Sequence, residues 1–213
     1  MTTSSNDSKQ RFNQRVADYV RARPGYPREL IPLLREKIAL RDDWTIGDIG
    51  SGTGISAVPF LKNGNPVIGI EPNASMRDAA QQFLARFEKF SQRDGSADST
   101  NLHDASVDLI VAGQAFHWFD PSAAKREFVR ILKRCGFVLL MWNERRKSGD
   151  TFHEAYEQLL LSYGTDYLKI RHENIGEERI ADFFAPVRFE SMSLPNQQVL
   201  DFDGLKGRLL SSS

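Results

Sequence analysis

The chain has 213 residues, 40% of them apolar and 26% charged, which suffices for one sizeable core and does not fit a wholly disordered protein. Lys and Arg total 28, as do Asp and Glu; the zero formal net charge argues against gripping nucleic acid through an overall field. The longest unbroken apolar run, Phe137 to Trp142, falls far short of the about 20 residues that span a bilayer. Residues 1–10 lack the apolar stretch of a secretory signal, and the single cysteine, Cys135, cannot form an internal disulfide. No Cys/His cluster has zinc-like spacing, so the expectation is a cytoplasmic protein with neither membrane span nor metal.

In chain order, residues 1–10 are expected to form a disordered tail, because they bury too little to offset ordering entropy. Residues 11–213 read as one domain, with a lid and helix over 11–40, a ligand-holding core over 41–145, and substrate-side helices with a sixth strand over 146–213. Leu30, Leu33, Leu34 and Ile38 share one face of a helix over Arg28–Leu40. A strand over Thr45–Ile49 then leads to a helix over Thr53–Lys62, stopped by Asn63-Gly64. Strand Val67–Glu71, helix Ala74–Phe87 and strand Lys89–Gln92 follow. Strand Val107–Ala112 precedes a helix over Pro121–Lys133, which has Asp120 as N-cap and Pro at its first position. Strand Phe137–Trp142 completes the alternation. Beyond it, helices are expected over Thr151–Ser162, Ile175–Phe184 and Phe202–Leu210, with the sixth strand at Val187–Met192. Strands alternating with helices give an α/β, doubly wound, mostly parallel sheet flanked by helices.

The segment Asp48-Ile49-Gly50-Ser51-Gly52-Thr53-Gly54-Ile55 carries the most chemical information. A strand enters a turn with three alternating glycines, and a helix follows; such a turn lets a ligand approach the backbone at the carboxyl edge of the sheet. A dinucleotide fingerprint, G-x-G-x-x-G, would need glycine where Ile55 stands. Asp48 would also repel a pyrophosphate, by about 1 kcal/mol at ~4 Å even in water. The same charge favours a ligand bearing an ammonium and a sulfonium. Glu71, 21 residues after Gly50, can accept hydrogen bonds from both hydroxyls of a ribose. A plain strand-to-helix turn without ligand is the competing reading of these glycines.

With these residues in place, the sequence resembles the class I S-adenosylmethionine-dependent methyltransferases, and within them the small-molecule branch of trans-aconitate methyltransferase-like proteins. The resemblance spans residues 12–210 and continues through Gly69-Ile70-Glu71-Pro72-Asn73 with Met76, Gly95-Ser96-Ala97-Asp98, Ser106-Val107-Asp108, Gln114-Ala115-Phe116-His117-Trp118-Phe119, and Leu132-Lys133 with Gly136. It implies a Rossmann-like methyltransferase fold with S-adenosyl-L-methionine as cofactor. Gly50, Ser51 and Gly52 would pack against the methionine part, Asp48 near its ammonium, Glu71 on the ribose, and Met76 against the adenine. Ala97 would offer its backbone N–H to the adenine. Ser96 stands where many relatives carry an acid, so the amine contact would fall to Asp98. Tyr19 and Arg23, with Phe12, Pro24, Gly25, Tyr26 and Pro27, resemble the branch's lid, from which Arg23 or Arg15 would reach the methionine carboxylate.

Gln114 to Phe119 follow the fourth strand, where side chains would face the transferred methyl group. His117 is the only histidine there; it reads as a general base or as a hydrogen-bonded wall residue. Trp118 and Phe119 read as a shield for the sulfonium or as core packing. The segment is unlike the Asn/Asp-Pro-Pro-Tyr/Phe sequence of enzymes that methylate exocyclic amines of bases. Cys135 reads as a small packed residue, and Arg145-Arg146-Lys147 as a solvated loop. The expected activity is methyl transfer to an oxygen, less readily a nitrogen, of a small acidic or hydroxylated metabolite. The alternatives are a non-catalytic cofactor-binding or partner-binding protein of the same fold and, disfavoured by Ile55 and Asp48, a nicotinamide-dependent dehydrogenase. Relatives continue into a seventh, antiparallel strand that this sequence lacks, so the C-terminal sheet edge is expected to be truncated or rearranged and covered by another chain, as in a homo-oligomer.

Overall fold

A computed structural model describes residues 23–163 and 176–210. These fall into two compact units, where the sequence suggested one domain: a larger one of residues 25–142 and 177–196, and a smaller one that includes residues 23–24, 143–163 and 197–210. The larger unit contains helix α1 (Leu30–Ile38), strand β1 (Ile46–Ile49), helix α2 (Val58–Asn63), β2 (Val67–Ile70), α3 (Ala74–Phe83), β3 (Phe90–Arg93), β4 (Val107–Gly113), α4 (Pro121–Ile131), β5 (Leu132–Met141) and α6 (Glu177–Phe184). The smaller one contains α5 (Thr151–Tyr163) and α7 (Phe202–Leu210).

The five strands form one all-parallel sheet in the order β3-β2-β1-β4-β5. The sequence order reverses between β1 and β4, which opens a crevice at the carboxyl end of β1. Ile46, Ile49, Val67, Ile70, Leu109, Ile110 and Val111 are fully buried, as expected of strands covered on both faces. Leu30, Leu34, Phe60, Leu61, Ala80 and Leu84 from α1, α2 and α3 and their flanks join Ile46, Val67, Leu109 and Val111 in one apolar cluster. Asp48 stands two residues after Ile46, so strand alternation places it on that same clustered face.

Two elements differ from expectation. Residues 187–192 pair with no strand, so the sixth strand does not form and the described sheet ends at β5. Strand β5 begins directly after α4, five residues before Phe137; between the pairs Val107–Leu132 and Leu109–Phe137 its register shifts across an irregularity. Cys135 lies in that irregularity with φ at 65°, exposed rather than packed.

A polar network ties the loop after β3 to α4. Glu127 Oε1 accepts from the Thr100 backbone N–H at 2.8 Å and from its hydroxyl at 2.5 Å, while Arg130 donates to both Glu127 oxygens, at 2.6 and 2.8 Å. These bonds, Arg130's foremost, hold the Glu127 carboxyl down at about 2. In the smaller unit, Asp150 accepts from the His153 backbone N–H at 2.9 Å at the start of α5, and Arg145 pairs with Glu157 and lies 4.8 Å over the Tyr156 ring. Arg145 is therefore an internal prop of that unit rather than a solvated loop residue. Replacing Glu127 by Gln should lower stability by about 1.5–3 kcal/mol, as expected for charge-assisted bonds to a buried group. Urea unfolding would read this as a lower midpoint at unchanged slope.

Candidate functional site

The glycine turn leaves β1 with positive φ at Gly50 (70°), Gly52 (52°) and Gly54 (82°). Two of these positions differ in what they serve. A Cβ on Gly50 would lie 2.7 Å from the Ala115 Cβ and 3.4 Å from the Phe119 ring, so this glycine lets the segment after β4 close onto the turn. A Cβ on Gly52 would meet nothing within 4 Å among the described residues; its conformation leaves an open face.

The helix after the turn starts at Val58, five residues later than the sequence suggested, and runs only to Asn63. Residues 51–57 are turns, and the backbone N–H groups expected to point at a ligand are engaged internally. Those of Gly50 and Ser51 both donate to the Ile70 carbonyl, at 2.8 and 3.1 Å, and that of Gly54 donates to the Ser51 carbonyl at 2.8 Å. The Gly52 N–H donates to Glu71 Oε2 at 3.0 Å. The phosphate-cradling geometry of a dinucleotide loop is thus absent from these positions.

Asp48 is fully buried. Its Oδ2 accepts from the Ser56 hydroxyl at 2.7 Å, while Oδ1 has no hydrogen-bond partner among the described residues. Burial pushes its carboxyl up to about 7; the Ser56 hydrogen bond works against this shift, and the nearby Glu71 charge adds to it. Ser51 Oγ is a second buried polar atom without a partner among the described residues. A buried carboxylate with one idle oxygen costs folding free energy unless a proton or a cation completes it, an arrangement suited to an ammonium-bearing ligand.

Glu71 stands just beyond β2, its other oxygen accepting from the Asn73 backbone N–H at 2.9 Å. Asn73 caps α3, accepting from the Ser75 and Met76 N–H groups at 3.0 and 3.2 Å, and thereby sets Met76 in the first turn of that helix. Arg77, which the sequence reading passed over, donates to the Glu71 carbonyl at 2.7 Å and to Asp94 at 2.9 Å, clamping the ends of β2 and β3. Beyond β3, Ser96 and Ser99 pair through their backbones, and Ala97 is buried between them. Asp98 is exposed, its carboxyl held below the ordinary range first by a side-chain hydrogen bond to Ser96 and then by its own backbone.

After β4, Gln114 has φ at 57°, a strained conformation for a side-chain-bearing residue, and its N–H donates to the Met141 carbonyl. His117 lies half-buried in the single turn Phe116–Trp118, its ring 4.9 Å from that of Trp118, which is 69% exposed. Phe119 packs edge-on against Phe116 and Phe128. Of the remaining expected residues, Arg23 falls in the smaller unit, while Phe12, Arg15 and Tyr19 lie outside the described residues. Ser56 was missed as a neighbour of Asp48, and Tyr26, whose hydroxyl lies at the same corner beside Gly113, was read only as part of the lid. Ser56 was visible only as a hydroxyl in an expected helix, and its partnership with Asp48 depends on the turn persisting to Ala57.

Residues 47–140 match the family model for a methyltransferase domain. The chain is 34% identical over 139 residues to an uncharacterized methyltransferase of Schizosaccharomyces pombe, covering 64% of this chain and 54% of that protein. An uncharacterized methyltransferase of Mycobacterium bovis is also 34% identical, over 145 residues, covering 68% of this chain and 57% of its own length. The chain thus spans little more than half the length of these curated relatives. Among solved structures, a proposed S-adenosyl-L-methionine-dependent methyltransferase of Methanococcus maripaludis superposes with a TM-score of 0.59 at 21% identity, covering 73% of this chain and 72% of that one. A proposed type II methyltransferase of Anaeromyxobacter dehalogenans gives 0.59 at 22% identity, covering 81% and 70%. The fold is the Rossmann-like fold of class I methyltransferases.

The state of Asp48 makes stability depend on pH in a defined direction. In the folded, ligand-free protein Asp48 keeps its proton up to about pH 7, whereas in the unfolded chain it ionises near 3.8. Between these values the unfolded state binds fewer protons, so stability should fall as pH rises from about 4 to about 7 and level off above. Urea midpoints across this range should show the decline in the native protein and a flatter profile in Asp48→Asn. Parallel profiles would contradict it.

Proposed function

We propose that this chain catalyses S-adenosylmethionine-dependent methyl transfer to an oxygen, less readily a nitrogen, of a small acidic or hydroxylated metabolite, as in the trans-aconitate methyltransferase-like branch. The observation that carries the reading is the buried Asp48 carboxyl with its idle Oδ1, at the end of a strand that opens into the glycine turn. The residues present fit the cofactor. Asp48 would meet its ammonium, the open face of Gly52 would admit its amino-acid part, Glu71 would accept from the ribose, and Met76, Ala97 and Asp98 would flank the adenine. When bound, the cofactor supplies an activated methyl group on a cationic sulfur.

The chain's own work is then positioning and exclusion of water. Ala115 and Phe119 close against the turn at Gly50, and the strained Gln114 sits at the carboxyl end of β4, facing the methyl position in this reading. His117 would orient an oxygen acceptor, or take its proton where the acceptor is a hydroxyl; a carboxylate acceptor needs no base. A small-molecule acceptor fits the zero net charge better than nucleic acid does.

Calorimetry with S-adenosylmethionine tests the binding half of the proposal. Asp48→Ala and Glu71→Ala should each weaken affinity by about 1–3 kcal/mol, the value of a charge-assisted hydrogen bond. Unchanged affinity in both would refute the assignment. Assay of S-adenosylhomocysteine formation across a panel of hydroxy and carboxylic acids tests the catalytic half, since a purely binding protein would release none. In that assay His117→Ala should lose turnover while keeping cofactor affinity.

A further inference from the structure

We infer that Ser56 is a positioning residue of the cofactor site: its hydroxyl holds one oxygen of Asp48 so that the other is presented, ionised, to the ammonium of the ligand. The inference rests on the reading of the site as one for S-adenosylmethionine, and it goes beyond that reading by placing a residue outside the glycine motif in control of binding. Three observations carry it. The Ser56 hydroxyl donates to Asp48 Oδ2 at 2.7 Å within buried surroundings, both residues being less than 5% exposed. Asp48 Oδ1 has no protein partner among the described residues, so Ser56 makes the only side-chain hydrogen bond given to this carboxyl. Finally, Ser56 is seated by β4: a methyl group on Gly113 would lie 2.7 Å from its Cβ and 2.6 Å from the Tyr26 hydroxyl, so only glycine there leaves room for both side chains.

The charges around Asp48 define what Ser56 must do. From the end of β2, Glu71 opposes ionisation of Asp48. Strand β4 presents Val111 opposite Asp48, and Gly113 beyond it; its one ionisable residue, Asp108, lies at the far end of the strand. Tyr26 brings a hydroxyl to the same corner and no charge at neutral pH. Among the described residues Ser56 favours the charged form of Asp48, whereas burial and Glu71 oppose it. Binding of an ammonium ligand below about pH 7 is then accompanied by release of the Asp48 proton to solvent, and losing the Ser56 hydroxyl raises the pH at which this becomes easy.

The test is the pH dependence of S-adenosylhomocysteine binding, which retains the ammonium and is followed by calorimetry between pH 5.5 and 8.5, values spanning roughly one and a half units either side of neutrality. In the native protein affinity should rise along an acid limb set by Asp48 and decline toward the alkaline end as the ligand's own amine, of ordinary pKa near 8, loses its proton. In Ser56→Ala the acid limb should move upward by about one unit, weakening binding about tenfold at pH 6 and much less at pH 8, with the alkaline limb unmoved. Ser56→Thr, which keeps the hydroxyl, should restore the native limb; thermal melts of both variants establish that they fold. An equal loss of affinity at every pH, or an acid limb unmoved in Ser56→Ala, would overturn the inference while leaving the cofactor assignment intact. If the native protein binds no S-adenosylhomocysteine at all, the assignment itself fails, and the inference with it.

Discussion

The geometry of the site depends on one unfavourable burial. Asp48 stands on the face of β1 that also carries Ile46, where the surrounding side chains form an apolar cluster. A carboxyl there is costly in its charged form, and the fold supplies it with one hydroxyl rather than a full set of donors. An apolar residue would be the stabler choice for such a strand position. The carboxyl's presence, together with an idle oxygen, is what the proposed function accounts for as local stability yielding to ligand chemistry.

Around that carboxyl the crevice is held by contacts that touch its framework rather than its centre. Arg77 ties the Glu71 carbonyl to Asp94, fixing the separation between the ends of β2 and β3. Asn73 caps α3 and positions both a backbone N–H for Glu71 and the first helical turn that bears Met76. The Thr100–Glu127–Arg130 network anchors the loop that follows Ala97 and Asp98 to α4. Each of these groups makes hydrogen bonds within the protein, whereas Asp48 Oδ1 and Ser51 Oγ are buried without a partner among the described residues. Hydrogen-bonded polar groups thus build this framework, and two of the buried atoms without a partner among the described residues lie at the end of β1, where the ligand is proposed to sit.

Much of this was legible in the sequence, for reasons that can be traced residue by residue. Strands β1, β2 and β4 announce themselves as short segments rich in Ile, Val and Leu, and α4 by Asp120 followed by Pro121, because burial and capping leave local signatures. The start of α2 was placed too early: the glycine turn extends through Thr53 to Ala57, with Gly54 and Ala57 held by turn hydrogen bonds. The apolar content of Val187–Met192 suggested a strand, but a strand exists only where an edge accepts it, and pairing is a property of the sheet rather than of the segment. The beginning of β5 was hidden because Cys135 breaks its register in a left-handed conformation. Asp48 and Glu71 were singled out through their spacing from the glycines; Ser56 and Arg77 were not, since their partners are set by tertiary contact.

The glycine turn also shows how two ligand classes are separated by a loop of nearly the same shape. In a dinucleotide loop the chain offers free N–H groups and a helix terminus to a polyanion. Here the Gly50 and Ser51 N–H groups are committed to Ile70 and that of Gly52 to Glu71, and the following helix is only six residues long. Donors that could have served an anion have been spent on the backbone and on a carboxylate, while Asp48 and Glu71 add negative character on either side. An anion entering this turn would have to displace Glu71 from Gly52 and face Asp48 as well. A cation instead meets the Asp48 oxygen that has no partner among the described residues, and below about pH 7 it takes the place of the proton held there. In the proposed reading, selectivity follows less from the glycines, which set the shape, than from where the hydrogen bonds of the turn have already gone.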